Sequence, residues 1–329
     1  MLTRIYFFYK VIRFFARYFP LRFNYAVAIL FADIFYVFPT DIKKSVEHNL
    51  KIIYELKRKL DSRLRGNDGE MGGNNNENVI PSGSEESVCE ERFLPSVEMT
   101  RLVGRNDKRR GRELFRNFGK YLIDLVCMDA LPREEIDKLF LEIQGREYLD
   151  AVKNRGAIIV TLHMGNWELG GAFLTRGGYD FTAIYERHAD KKVSEFFNNI
   201  RLKHKFGIID RRDLKGLIQA VKEKRNIAIL GDISYDSQTV LVDFLGIRYG
   251  LPAGAVVLAL KFGIPIIPAV CVKSGSGYKI LVSPLMEMEK VGHLQDNIRI
   301  NAQRLAKVLE GFILEFPEQW FVFKRFDEN

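Results

Sequence analysis

Cysteine is scarce: Cys89, Cys127 and Cys271 are odd in number and far apart in 329 residues. They provide no disulfide framework and no thiolate metal cluster, and they suit a reducing compartment. The five histidines are scattered and assemble no metal site. There is no G-x-S-x-G elbow and no cysteine in a nucleophile's setting, so a covalent enzyme intermediate has no obvious residue to form on. No zinc-finger spacing or aromatic RNA-binding strand accompanies the formal net charge of +8, which argues against nucleic acid as the partner. The basic excess points instead to anionic lipid headgroups or a phosphorylated substrate.

Aromatics are abundant, with 25 phenylalanines, and they crowd the amino terminus. Residues 1–40 read as two helices broken at Pro20. The first sets Arg4, Lys10, Arg13 and Arg17 among Phe and Ile, a pattern suited to a membrane surface. The second, Tyr25–Phe38, is apolar but carries Asp33 and falls short of the ~20 residues a spanning helix needs. Packing on a catalytic domain is one reading of this pair. A monotopic anchor with its basic side toward the cytoplasm is the favoured one. The basic residues recur instead of stopping before an apolar core, so a cleavable signal peptide is not expected.

Residues 57–111 change character. The stretch GEMGGNNNENVIPSGSEESVCEE is too polar to order itself, and the segments Ser62–Asp68 and Thr100–Asp107 nearly repeat each other. A solvent-exposed, disordered insert is expected between helical segments at 41–56 and 112–141. From residue 142 to the end, strand and helix patterns alternate, which predicts an α/β core with a largely parallel or mixed sheet.

The chemistry concentrates in Ala157–Gly171, AIIVTLHMGNWELGG. A buried strand delivers His163 to its end, a Gly-Asn turn follows, and Glu168 opens a helix near Trp167. Ligands of open α/β sheets bind beyond the carboxyl ends of the strands. A carboxylate on one imidazole nitrogen makes the other a better base, so His163 and Glu168 are the candidate acid/base pair. The bland alternative is a strand-end histidine followed by a first-turn helix acid. Asn166 and Trp167, in the same turn, are substrate-binding candidates, with backbone N–H groups of 165–167 available for an oxyanion. Arg187 and Asp232 also follow strands. Arg187 reads as a contact for anionic substrate groups or as a surface salt bridge. Asp232 reads as an orienting group for Arg187, an acceptor contact, or a turn residue.

HMGNWELGG, the tail PEQWFVFKRF (Pro317–Phe326), Asn49-Leu50 and the run Val242–Gly246 together resemble the bacterial lipid A biosynthesis acyltransferases, related to glycerolipid acyltransferases with H-x4-D/E motifs. The resemblance covers most of the chain outside 57–111. It implies a mixed central sheet flanked by helices, with a membrane-associated amino-terminal helical hairpin. It also implies an inner-membrane enzyme with its catalytic domain on the cytoplasmic face. The implied reaction moves a fatty acyl chain from an acyl carrier protein thioester (or acyl-coenzyme A) to a hydroxyl of a lipid A precursor or related glycolipid. No further cofactor and no metal are implied. His163 is the matching base, Glu168 its partner, and Arg187 a substrate contact. The chain departs from the family at Ile233, where glutamine is usual, and at Phe323-Lys324-Arg325, where a histidine is common. A glycerolipid or aminolipid acyltransferase and a non-catalytic basic peripheral membrane protein are the alternatives. The tail's Trp320, Lys324 and Arg325 read as a membrane-facing rim or, more blandly, as a terminal strand with solvated charges.

Overall fold

This computed structural model describes residues 2–67, 107–130, 133–186, 190–234 and 238–328. The expected low-complexity core of the insert and the candidate Arg187 lie outside them.

Five strands run parallel at the centre of the domain: β2 (Ile158–Thr161), β3 (Phe181–Tyr185), β4 (Gly207–Asp210), β5 (Asn226–Leu230) and β8 (Ile266–Ser274). Two more run the other way at one edge, β9 (Gly277–Val282) and β1 (Phe140–Gln144). The order is β1-β9-β8-β2-β5-β3-β4, a mixed sheet as expected. The strand β2 reads as an unbroken apolar run because it is buried on both faces. Ile159 belongs to the core under α4 (Asp107–Ala130), α7 (Trp167–Arg176) and α8 (Lys191–Lys203), whereas Ile158 and Val160 belong to the core under α10 (Gly254–Phe262) and α11 (Leu294–Glu315).

Three strands do not stand out in the sequence. The edge strands β1 and β4 are short and only part-buried. The strand β7 (Ile247–Pro252) forms a separate hairpin with β6 (Thr239–Phe244). Its turn, Leu245-Gly246, has φ of 51° and 80°, the twist that a two-residue hairpin favours.

Helix runs farther into 57–111 than composition suggests. The helix α3 (Asp41–Asn67) continues past Lys57, and α4 begins at Asp107. Lys57 is buried, and its Nζ donates to the Leu314 carbonyl at 3.0 Å, near the end of α11. A cation there also suits that helix's negative end.

The amino-terminal helices α1 (Leu2–Tyr18) and α2 (Leu21–Val37) have two kinds of face. Inward, α2 lies on α4. Asp33, the residue that interrupts its apolar run, takes Arg116 in a two-pronged ion pair with both contacts at 2.7 Å. The Tyr25 hydroxyl donates to buried Asp124, whose other oxygen receives the Tyr278 hydroxyl and faces Lys273 Nζ at 3.5 Å. Outward, Phe7, Phe14, Tyr18, Phe31, Val37 and Phe38 are exposed. Among the described residues no single helix is long and apolar enough to cross a membrane.

The Asp124 knot makes a checkable prediction. Removing the buried carboxylate leaves the part-buried Lys273 without its counter-charge, a change that costs roughly 3–5 kcal/mol. Asp124→Ala is therefore expected to lower the stability of the purified protein by about that amount in denaturant unfolding. An unchanged midpoint would mean that the knot carries no stability.

Candidate active site

The site forms where β2 and β5 end side by side. Thr161 pairs with Leu230 in register, and Gly231 N–H donates to the Thr161 carbonyl at 2.8 Å. His163 and Asp232 are each two residues beyond that pair, so parallel pairing brings them together. The His163 Nδ1 lies 2.8 Å from Asp232 Oδ1, and the His163 backbone N–H donates to Asp232 Oδ2 at 2.9 Å. The same Oδ2 accepts Trp320 Nε1–H at 2.8 Å, and the Tyr249 hydroxyl donates to the Asp232 carbonyl at 2.5 Å. Asp232 is 0% exposed and Trp320 only 2%.

The tail braces this turn from below. The Gln319 carbonyl accepts from Gly165 N–H at 2.9 Å, and Phe321 N–H donates to the His163 carbonyl at 2.7 Å. Gln319's side chain clasps the backbone of Lys273 through bonds of 2.8 and 3.0 Å. Gly165 has φ +58°, and a Cβ there would stand 2.0 Å from the Cys271 carbonyl oxygen. Only glycine lets the turn pass so close to β8.

Several sequence expectations change at this point. Asp232, rather than Glu168, holds the imidazole. Glu168 turns to Arg201 on α8, accepting from Nε at 2.9 Å and from a second guanidinium nitrogen. Asp232 is not open to a substrate, because its oxygens are engaged by protein donors and buried. Asn166 is also fully buried. Its Oδ1 caps α7 by accepting Leu169 N–H at 3.0 Å, and its own N–H donates to the Cys271 carbonyl at 2.7 Å. Two of the three turn amides proposed for an oxyanion, those of 165 and 166, are thus spent on backbone carbonyls, leaving Trp167 N–H. Trp320 is a core residue and not part of an exposed rim; Lys324 is exposed, and Arg325 is paired with Asp327 and Glu328. Trp167 keeps an accessible position, its ring edge-on to His163 at 5.4 Å and stacked on Tyr121 at 4.7 Å.

Burial disfavours the charged imidazolium of His163, but the charge and hydrogen bond of Asp232 outweigh it, and the pKa of His163 lies above the ordinary histidine value. Burial likewise opposes ionisation of Asp232, yet His163 and the Trp320 and backbone donors hold it below the usual carboxylate range. The imidazole therefore has a fixed orientation, with Nδ1 committed and Nε2 remaining as its basic atom.

His163 opens onto a cavity of about 730 Å³ beneath the sheet. Its polar lining includes His163, Glu168 and Arg201, with Thr161 and Glu186 also on the wall. Much of the rest is apolar, including Leu125, Leu174 and Phe197. Ala183 and Ala228 are register neighbours on β3 and β5, and their small side chains leave room where larger ones would fill the layer. Tyr9 of α1 contributes to the wall. Arg201 carries no motif of its own in the sequence. The available signal is its position: a basic residue four after buried Phe197, on the stripe that includes Val193 and Ile200.

Residues 107–326 match the bacterial lipid A biosynthesis acyltransferase family. The chain belongs to that family. The matched region of this acyltransferase-family chain contains His163, Glu168, Asp232 and Trp320, and α1–α3 precede it. Its relatives include the phosphatidylinositol mannoside acyltransferase of Mycolicibacterium smegmatis, 26% identical over 177 residues, covering 52% of this chain and 56% of that protein. The homologous enzyme of Mycobacterium tuberculosis is 23% identical over 62% of this chain and 66% of its own length. The lipid A biosynthesis palmitoleoyltransferase of Escherichia coli is 24% identical over 65% of this chain and 70% of that protein. The chain thus spans somewhat over half to two thirds of the mycobacterial relatives. The crystal structure of the 1-acyl-sn-glycerophosphate acyltransferase PlsC from Thermotoga maritima overlaps 60% of this chain and 86% of its own, at 14% identity and a TM-score of 0.33, too loose to bear on the site.

Proposed function

We propose that this protein transfers a fatty acyl chain from a thioester donor to a sugar hydroxyl of a membrane glycolipid. The observation that carries the reading is one geometry: a histidine with Nδ1 tied to a buried carboxylate, at the mouth of a large apolar cavity. His163 Nε2 takes the proton of the acceptor hydroxyl. The oxygen attacks the thioester carbonyl, the C–S bond breaks, and the imidazolium returns the proton to the departing thiolate. Trp167 N–H, at the positive end of α7, is the amide left to stabilise the oxyanion. The acyl chain occupies the cavity. The Glu168–Arg201 ion pair on its wall positions the acceptor, a role for Glu168 distinct from tuning the base.

The donor is acyl carrier protein, whose acidity suits the basic surface, with acyl-coenzyme A the competing donor. The acceptor class is common to the relatives, whose names refer to lipid A and to phosphatidylinositol mannoside. The exposed aromatic faces of α1 and α2 rest in the cytoplasmic leaflet of the inner membrane, bringing the cavity to its lipid substrate.

The test is turnover. Purified protein in detergent, given acyl carrier protein thioester and either a lipid A precursor or a phosphatidylinositol mannoside, is expected to release free thiol and yield a heavier glycolipid by mass spectrometry. Thiol release without acyl transfer to either glycolipid, with transfer to a glycerophospholipid instead, would overturn the acceptor assignment.

A further inference from the structure

A second concave site lies away from the catalytic cavity, at the corner where α2, α3 and α4 meet. It encloses about 640 Å³. Five cations line it, Lys43, Lys108, Arg109, Arg112 and Arg116, against only Glu113 among the lining acids. Arg116 is neutralised by its two-pronged pair with Asp33, and Arg112 sits 3.7 Å from the same carboxylate. Lys43 is oriented by the Tyr36 carbonyl, to which its Nζ donates at 2.9 Å. Lys108 and Arg109 are exposed and make no ion pair among the described residues. Among the described residues, three cations are thus left with no carboxylate contact in a hollow where mutual repulsion is unfavourable.

The hollow's neighbours distinguish it from an ordinary basic patch. At the end of α2 and the start of α3, Ile34, Val37, Phe38 and Ile42 are exposed apolar side chains. An apolar band bordered by a cationic hollow reproduces the layering of a bilayer surface, acyl chains below and phosphates above.

We propose that this corner binds the phosphate of an anionic phospholipid headgroup, with Lys43, Lys108 and Arg109 as its charge donors and the α2–α3 junction in the acyl layer. The proposal rests on the membrane-surface reading of α1 and α2. It adds that recognition at this corner is electrostatic and headgroup-dependent. A docking surface for an acidic protein explains the charge equally well but leaves the adjoining apolar band without a role.

The experiment is vesicle flotation of the full chain and of a Lys43→Gln/Lys108→Gln/Arg109→Gln variant. One set of vesicles is phosphatidylcholine and the other contains about one-third phosphatidylglycerol. Wild type is expected to bind the anionic vesicles more tightly, and the variant to lose on the order of 10- to 100-fold of that affinity. Both proteins should bind phosphatidylcholine equally through the apolar face, and turnover in detergent should be unchanged. Equal binding of wild type and variant to anionic vesicles overturns the headgroup site while leaving the membrane reading intact. Failure of wild type to bind either vesicle overturns both. Inorganic phosphate that raises the wild-type Tm but not the variant's, with no vesicle effect, shows a soluble-anion site and overturns the lipid assignment. Unchanged vesicle binding with loss of turnover on acyl carrier protein thioester assigns the corner to the donor protein and also overturns it.

Discussion

His163→Ala is expected to reduce acyl transfer by roughly 10³-fold, within the range that a positioned base contributes. The loss should fall on kcat, because the proton is in flight only in the transition state and the cavity that binds the acyl chain is untouched. Two features support a large effect. Among the described residues that line the cavity, His163 is the only histidine, so no neighbouring imidazole is placed to substitute for it. Water reaching the gap lacks the fixed orientation that Asp232 and the Phe321–His163 backbone bond impose on the ring. Thiol release under saturating donor and acceptor measures this directly. A variant that retains wild-type kcat and a native unfolding transition would remove His163 from the chemistry.

Gly165→Ala is expected to be among the most damaging single-methyl additions in the core. A left-handed φ costs a non-glycine residue about 1–2 kcal/mol. The new Cβ would also stand 2.0 Å from the Cys271 oxygen, which is backbone and cannot rotate away. Relief requires the turn to lift from β8, and that breaks the Gly165–Gln319 and Asn166–Cys271 bonds that seat it. The combined loss is roughly 4 kcal/mol, toward the exceptional end of single-substitution effects. Turnover should fall as well, since His163 is two residues away. Gly254→Ala, on α10, is the control. A Cβ there meets nothing within 4 Å, so stability should stay within about 1 kcal/mol of wild type. Denaturant unfolding of the two variants side by side separates local strain from a general intolerance of added volume.

The strand, turn and helix that present His163 are legible in the sequence because each has a local cause. β2 is apolar throughout since both its faces are covered, Gly165 and Asn166 mark the turn, and α7 begins where Asn166 caps it. The partner of the histidine is not legible in the same way. Glu168 is five residues distant and Asp232 sixty-nine, and nearness along the chain favours the wrong carboxylate. Register settles it: the pairing of Thr161 with Leu230 sets Asp232 beside His163, while the first turn of α7 carries Glu168 toward α8. The place of Trp320 is hidden for a related reason. An aromatic residue in a charged tail looks interfacial, whereas its indole N–H is consumed by a carboxylate 88 residues earlier. Charge composition was also a poor guide at Lys57, which lies in a polar run yet has its own buried acceptor. Asp33 is a parallel case: the carboxylate that interrupts the apolar helix α2 is met by Arg116 of α4.

The assignment of Asp232 rather than Glu168 as the partner of the base has a direct test in the pH dependence of kcat/KM. The acid limb reports protonation of His163 in the free enzyme. Asp232 raises that pKa against the opposing effect of burial, so the wild-type limb should lie above the ordinary histidine value of about 6.5. Asp232→Asn removes the raising charge and leaves the lowering effect of burial, so its limb should move to lower pH. Its plateau should also fall by roughly 10²–10³-fold, because an amide nitrogen facing Nδ1 selects the tautomer with Nε2 protonated. Glu168→Gln should leave the limb where it is. A limb that shifts in Glu168→Gln and stays fixed in Asp232→Asn would contradict the account and return the role to Glu168.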